Sequence, residues 1–138
     1  MTKCLFIRVL FMLSVTSAAH ATNYFWDGGT ADIAGNGNGV SAGGSGTWNT
    51  TIKNWDIGAT AQTNWPAEAN AHHAYFGGSG GTVTFGADLG PAGFYPNTVW
   101  VTAGNYVFDL ASYGLSFKGS GLQIASGATL VLTNGTMT

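Results

Sequence analysis

Residues 77–81 spell G-x-S-x-G, the pattern in which α/β-hydrolases carry a nucleophilic serine, and Ser79 occupies that position. Attack of a serine hydroxyl on an acyl group in that fold needs a strand before the motif and a helix after it. Residues 82–85 alternate polar and apolar side chains, which is typical of a strand. The sequence therefore predicts a turn at residues 77–81 and no catalytic role for Ser79.

Two adjacent histidines, His72 and His73, offer imidazole ligands for a metal ion. Adjacent residues of a strand point to opposite faces, so one ion rarely receives both rings. No cysteine and few carboxylates lie nearby in the sequence to complete the four ligands of a zinc site. The pair therefore predicts a solvated loop, and we expect no bound metal.

Oxygen ligands suited to calcium occur close together at Asp27, Asp32, Asn36 and Asn38. The calcium-binding nonapeptide of repeat proteins needs G-G-x-G-x-D, whereas residues 28–32 read GGTAD and lack the third glycine. The EF-hand pattern fails as well, because no glutamate closes the loop. These side chains therefore predict turns held by local hydrogen bonds rather than a calcium site.

Hydrolysis of a glycosidic bond requires two carboxyl groups about 5 to 10 Å apart. Glu68 is the only glutamate, and no aspartate occupies a matching strand position. The sequence therefore gives only weak support to a polysaccharide-degrading enzyme. We expect a protein without catalytic residues and without a cofactor.

Four tryptophans lie close together in the sequence, namely Trp26, Trp48, Trp55 and Trp65. Exposed indole rings beside amide side chains form platforms for sugars, which makes a carbohydrate-binding module the alternative function. Large aromatic side chains also cover the apolar end of a repeat fold, and we favour this capping role, in which the rings are buried. Trp100 differs, because it alternates with two valines and is predicted to point outward.

The composition restricts the fold that positions these residues. Charged residues make up only 7% of the chain, and 22 of its 138 residues are glycine, against averages of about 25% and about 7%. Glycine costs about 1 kcal/mol per helical position relative to alanine, which disfavours a helical bundle. The 45% hydrophobic and 13% aromatic content argues against disorder. We therefore predict an all-β protein.

Residues 1–21 have the layout of a secretory signal peptide. Lys3 and Arg8 give a positive start, residues 9–15 form a short apolar core, and residues 19–21 are a small-x-small cleavage site. The apolar run is well short of the roughly 20 residues that span a membrane. We therefore expect an exported chain with no membrane span in its mature part.

Cleavage before Thr22 leaves two lysines and six acidic residues, a net charge of −4. That charge repels nucleic acid, which we do not expect as a partner. Cleavage also removes Cys4, the only cysteine, so the mature chain is predicted to gain its stability from strand pairing and apolar stacking rather than from disulfides.

From residue 75 onward, apolar and polar residues alternate in short runs that glycine-containing turns separate. The runs recur: Val99 reappears as Leu122, 23 residues later, and Tyr106 reappears as Leu130, 24 residues later. Three short strands per interval of this length predict a right-handed parallel β-solenoid. A β-sandwich or jelly roll is the alternative, because it also has short, regularly spaced strands.

We divide the chain into a signal peptide at residues 1–21, an aromatic, Gly/Asn-rich N-terminal cap at residues 22–76 and the first solenoid coils at residues 77–138. The sequence ends after about one and a half coils, whereas a solenoid normally needs at least three repeats. We therefore expect either the N-terminal piece of a longer repeat protein or a truncated reading frame.

The whole pattern resembles the start of bacterial proteins with autotransporter-associated β-strand repeats. The resemblance rests on the aromatic block and on four segments, namely YFGG at residues 75–78, VTF at 83–85, YVF at 106–108 and LSFKGSGL at 115–122. His73 departs from the family, in which an aspartate usually stands before the Ala-x-Phe step.

The resemblance implies a passenger segment that is secreted or displayed on the outer surface of a Gram-negative cell, with a structural or adhesive role. A surface polysaccharide, or the surface of a host or neighbouring cell, is the partner it implies. It implies no catalytic residue. The carbohydrate-binding alternative differs in one observable, because it requires the four clustered tryptophans to be exposed.

Overall fold

The computed structural model describes residues 20–29, 37–59, 61–67, 71–86 and 95–138. Nearly all of the predicted signal peptide lies outside these residues, as do Asp32, Asn36 and Glu68. The regular structure of the described residues consists of β-strands and contains no α-helix, which confirms the all-β prediction. In this part of the chain no helix has the length and apolar character needed to cross a membrane.

Eleven short strands are present in the described residues. They are β1 Asn23–Trp26, β2 Gly46–Trp48, β3 Trp55–Asp56, β4 His73–Phe76, β5 Gly81–Phe85, β6 Thr98–Val101, β7 Asn105–Asp109, β8 Gly114–Leu115, β9 Gly121–Ile124, β10 Thr129–Thr133 and β11 Thr136–Met137. Tight turns keep them short. Gly104, for example, has a φ of 81° between β6 and β7, a conformation that glycine adopts at no steric cost.

The strands form three sheets, with the orders β3-β1-β4-β6-β9, β10-β7-β5-β2 and β11-β8. Seven of the eight pairings among the described strands are parallel, and only β1 and β3 pair in the antiparallel sense. Sandwiches and jelly rolls are built from antiparallel sheets. The β-sandwich or jelly roll, which was the alternative prediction, is therefore wrong for these strands. The observed sheets are parallel.

From β6 onward the chain visits the three sheets in a fixed order. The strands β6, β7 and β8 lie in the first, second and third sheet, and β9, β10 and β11 repeat that order. Val99 pairs with Leu122, and Tyr106 pairs with Leu130. These are the pairs that the sequence spacing relates, so the residues that recur in the sequence are partners in the parallel sheets.

Alternate strand positions face the core, as the period-2 pattern predicts. Val99 and Val101 are buried, whereas Trp100 between them is 37% exposed, which confirms its predicted outward position. On β7, Tyr106 and Phe108 are buried in the same alternating manner. One apolar core therefore runs along the inner faces of the first two sheets.

The strands β9 and β10 continue the alternating pattern, but their apolar side chains are less buried. Leu122, Leu130 and Leu132 pack against the core but are only partly buried, and Ile124 is 46% exposed. Their parallel partners on β6 and β7 are all buried. Since β9 and β10 are the edge strands of their sheets, the described strands present an apolar layer of interior type on this side.

Candidate functional site

The four tryptophans singled out in the sequence come together at one place. Trp26, Trp48 and Trp55 belong to β1, β2 and β3, and Trp65 follows β3 in the chain. Each is at most 1% exposed. The ring centroid of Trp55 lies 5.0 Å from that of Trp26 and 4.8 Å from those of Trp48 and Trp65. We call these four residues the tryptophan cluster.

The tryptophan cluster lies where the first two sheets begin, because β3 and β2 are their edge strands. Phe76 continues the aromatic packing into the core, with ring centroids 5.6 Å from Trp26 and 5.2 Å from Trp48. This burial leaves no ring face on which a sugar can stack. The carbohydrate hypothesis therefore loses the four residues on which it was based.

Two of the residues considered for calcium, Asp27 and Asn38, lie among the described residues and accept hydrogen bonds from the protein. The Asp27 carboxylate is fully buried and accepts hydrogen bonds from the Ala42 N–H and from Gln62 Nε2, both at 2.7 Å. Asn38 Oδ1 accepts the Val40 N–H at 2.9 Å, the side-chain turn that the sequence predicts. No group of three metal-ligating side chains suited to an ion occurs in the described residues. The other two residues of the predicted loop lie outside them.

A second buried carboxylate holds the segment around Val40. Asp56 Oδ2 accepts the N–H groups of Gly39 and Val40 at 2.5 and 3.3 Å, and Oδ1 accepts the Gly58 N–H at 2.6 Å. This role of Asp56 was not predicted from the sequence. Its position directly after Trp55, in a block rich in glycine, is consistent with a residue that fixes turns.

The two histidines have different surroundings. His72 Nδ1 accepts the Thr22 N–H at 3.2 Å, and the ring packs 5.2 Å from that of Tyr24. Burial, and then the neighbouring His73, lower the pKa of His72, which favours the neutral ring that this acceptor role requires. His73 begins β4, where it pairs with Asn23, so the predicted loop is wrong at this position. Strand pairing with a distant segment overrides the local polarity.

Ser79 lies in an exposed turn between β4 and β5. Its N–H donates to the Ala42 carbonyl at 3.1 Å, and its hydroxyl lies 3.4 Å from the same oxygen. The strand β5 begins two residues later. A turn followed by a strand is what the sequence predicts, and the helix of a nucleophile elbow does not follow this serine.

The outer face of the first sheet carries an arrangement that the sequence analysis missed. Phe25, Tyr75 and Trp100 occupy matching positions on the parallel strands β1, β4 and β6. The Phe25 and Tyr75 ring centroids lie 5.1 Å apart with planes at 30°, and those of Tyr75 and Trp100 lie 5.6 Å apart at 34°. We call these three residues the outward aromatic row.

A cleft of about 410 Å³ lies beside the outward aromatic row. Side chains of Phe25, Tyr75 and Val40 contribute to its lining, together with the turn residues Gly77, Gly78 and Thr102. Val40 is 60% exposed, and none of the described residues that line the cleft is charged. We call this feature the Val40 cleft. Its volume lies within the usual range for ligand sites, about 300 to 1,000 Å³.

No family model matches this chain, and neither the curated proteins nor the solved structures include a match to it. The resemblance to autotransporter-associated repeat proteins therefore stays a prediction from the sequence pattern.

Proposed function

We propose that this chain is an exported segment of a right-handed parallel β-solenoid with a structural role, displayed at the cell surface as a passenger. The observation that supports it best is the repeated strand order. Each of β9, β10 and β11 pairs in parallel with the strand three places earlier in the chain. A chain that moves from sheet to sheet and returns to each after one repeat winds as a solenoid coil. Parallel crossovers are almost always right-handed.

The tryptophan cluster supports the proposed cap. The strand β3 covers the edge of β1 in the antiparallel sense, and Trp55 exchanges backbone hydrogen bonds of 3.0 and 2.7 Å with Thr63 on its other side. An antiparallel cover over the first edge blocks the addition of another parallel strand there. The large rings beneath it close the apolar core at that end.

The buried polar groups also support a structural role. The carboxylates of Asp27 and Asp56 accept hydrogen bonds mainly from backbone N–H groups, and so fix turns. The alternative of a polysaccharide-degrading enzyme depends on Glu68, which lies outside the described residues. It remains the weaker hypothesis, because a glycosidase needs a second carboxyl group placed opposite the first.

Antibodies raised against the chain test display when they are applied to intact cells that produce it. We expect labelling without permeabilisation and a mature N-terminus at Thr22. Leu13→Arg, which interrupts the predicted apolar core of the signal peptide, is the matched control and should abolish labelling. A chain that keeps residues 1–21 and occurs only inside the cell would contradict the proposal.

A further inference from the structure

We propose that the Val40 cleft and the outward aromatic row together form a binding site for a neutral glycan chain. The site lies on the outer face of the first sheet, whereas Trp26 of the tryptophan cluster is buried on the inner face of the same strand, β1. It differs from the carbohydrate platform considered in the sequence, because it uses Trp100 and two aromatic residues that were given no role. The inference rests on the cleft and does not depend on surface display.

The apolar part of the site is a continuous strip of aromatic surface. Rings at successive spacings of 5.1 and 5.6 Å leave no gap for another side chain between them. Trp100 is 37% exposed, and Val40 is 60% exposed beside the other end of the strip. Exposed aromatic surface is unfavourable in water and gains free energy when the C–H groups of a ligand cover it.

Hydrogen-bonding groups accompany this strip. Thr102 Oγ1 donates to the Phe76 carbonyl at 3.1 Å, and a hydroxyl that donates one hydrogen bond can still accept others. Gln123, the parallel partner of Trp100 on β9, is exposed and continues the row with an amide. Tyr75 adds a phenolic hydroxyl. A pyranose ring has C–H groups on its faces and hydroxyl groups around its edge, so it can use both kinds of surface.

The charge of the site points to a neutral ligand. None of the described residues that line the cleft carries a charge. Two buried aspartates adjoin the lining and already have hydrogen-bond partners: Asp56 accepts the Gly39 and Val40 N–H groups, and Asp27 accepts the N–H of Ala42, next to Ser41. An anionic polysaccharide, a phosphate or a nucleic acid would lose hydration in the cleft without gaining a counter-charge. A neutral glycan has no such cost.

The topology disfavours an extended peptide as the ligand. Peptides that bind as added strands need a free sheet edge. The three strands that carry the row, β1, β4 and β6, each have a paired neighbour on both sides. Recognition on this face therefore depends on side chains and on the cleft, as it does for a sugar chain.

The cleft is held in shape before any ligand binds. The Ser41 hydroxyl donates to the Trp26 carbonyl at 2.5 Å and accepts the Gly77 N–H at 2.9 Å, which joins two walls of the cleft. Asp56 fixes the neighbouring Val40 segment. Because a ligand would not have to order these groups, little binding free energy is lost on reorganisation.

Trp100 provides a specific probe, because it alone of the five tryptophans is more than 1% exposed. Acrylamide quenching of tryptophan fluorescence is measured on the chain purified from cells that produce it, during titration with cellohexaose, xylohexaose, mannohexaose and maltohexaose. Polygalacturonate is the anionic comparison, and a proline-rich peptide is the protein comparison. We expect saturable protection of Trp100 by at least one neutral oligosaccharide and none by polygalacturonate or the peptide.

Variants locate the binding site. Tyr75→Ala and Val40→Asp should each weaken binding, measured by calorimetry, by roughly tenfold or more, which corresponds to about 1.4 kcal/mol. Val40→Asp changes an exposed residue and keeps the test valid if Tyr75→Ala fails to fold. Val131→Ala is the matched control, because Val131 is 53% exposed on the second sheet, and its affinity should equal that of the unchanged chain.

Four results would overturn the inference. They are the absence of protection by every neutral oligosaccharide, stronger protection by polygalacturonate, protection by the proline-rich peptide alone, and glycan binding that neither Tyr75→Ala nor Val40→Asp weakens. None of them bears on surface display, which antibody labelling tests separately.

Discussion

Tyr106 shows how one side chain joins the second sheet to the first. Its ring is buried on β7, and its hydroxyl donates to the Gly77 carbonyl directly after β4. Removal of one partner of a buried hydrogen bond leaves the other without its bond, which costs about 1 to 3 kcal/mol. The polar end of this aromatic residue therefore contributes to stability along with its apolar body.

Tyr106→Phe should lower the free energy of unfolding by about 1 to 2 kcal/mol, because the buried Gly77 carbonyl loses its donor while the ring still fills the core. Urea denaturation near neutral pH measures this change. Tyr75→Phe is the control, because its partly exposed hydroxyl can be replaced by water, and its stability should change by less than about 0.5 kcal/mol. Equal losses in the two variants would contradict the role of the Tyr106 hydroxyl.

The same residue predicts a loss of stability in alkali. Burial raises the pKa of Tyr106 from 10.0 to about 12, so the folded state favours the neutral phenol more than the unfolded state does. Its contribution is complete below pH 10 and is lost as the pH rises from 10 to about 12. Denaturation curves across this interval should show a smaller alkaline loss for Tyr106→Phe than for the unchanged chain. If both chains lose the same stability in alkali, groups other than Tyr106 cause the loss.

Sequence reasoning at the residue scale succeeded where one strand carries its own signal. Alternation with two valines was enough to predict that Trp100 points outward. The other members of the outward aromatic row were not predicted, because Phe25 and Tyr75 are 50 positions apart and pair only through the fold. Tyr75 and Trp100 are 25 apart, close to the detected repeat, and that spacing was the available signal.

At the scale of the strand, the register between β7 and β10 can be tested with a disulfide. Val107 and Val131 are parallel partners, and neighbouring strands lie about 4.8 Å apart, within the Cα separation of about 4.4 to 6.8 Å that a disulfide accepts. Val107→Cys with Val131→Cys, in a chain without Cys4, should therefore oxidise readily. Mass spectrometry under non-reducing conditions detects the bond.

The matched control for the disulfide is Val107→Cys with Thr129→Cys, in which the second cysteine lies opposite Asn105. This displacement along the strand should prevent efficient bridging. If the control pair oxidises as readily as the Val107–Val131 pair, the register is different from the one described.

The turn between β4 and β5 needs glycine for two reasons. Gly78 has a φ of 64°, and a Cβ atom at this position would overlap the Ala42 carbonyl. Gly78→Ala should therefore lower the free energy of unfolding by about 2 kcal/mol or more. Gly114→Ala is the control, because no other atom lies within 4 Å of the added carbon. Thermal and urea unfolding compare the two, and a loss as large at Gly114 would contradict this explanation.

At the scale of the whole molecule, protection from water decreases along the stack. Leu115 is fully buried, whereas Leu132 on the edge strand β10 is partly exposed. Leu115→Ala should cost about 2 to 5 kcal/mol, and Leu132→Ala should cost clearly less, because it removes a smaller buried area. Urea unfolding of both variants measures the difference. A larger loss for Leu132→Ala would show that the last layer is covered in solution.

The fold was predictable from the sequence only where its repeat is regular. The pairs from β6 to β11 recur at nearly constant intervals, so the spacing of Val99 and Leu122 was sufficient for their register. The earlier partners are 50 positions apart between β1 and β4, and 37 apart between Gly46 on β2 and Val83 on β5. Irregular loops of such length leave no periodic signal. The three-dimensional position of the tryptophan cluster was therefore inferred from residue type alone.

Among the described strands from β4 to β11, every strand except β8 pairs with a strand that precedes it in the chain. The tryptophan cluster is complete at Trp65, before β4 begins. During synthesis, which delivers the N-terminus first, each strand that joins the first two sheets from β4 onward therefore meets a partner that has already been made. In these two sheets the order of the strands from β4 onward is the order in which the ribosome produces them, so the early aromatic residues provide the template on which the later strands fold.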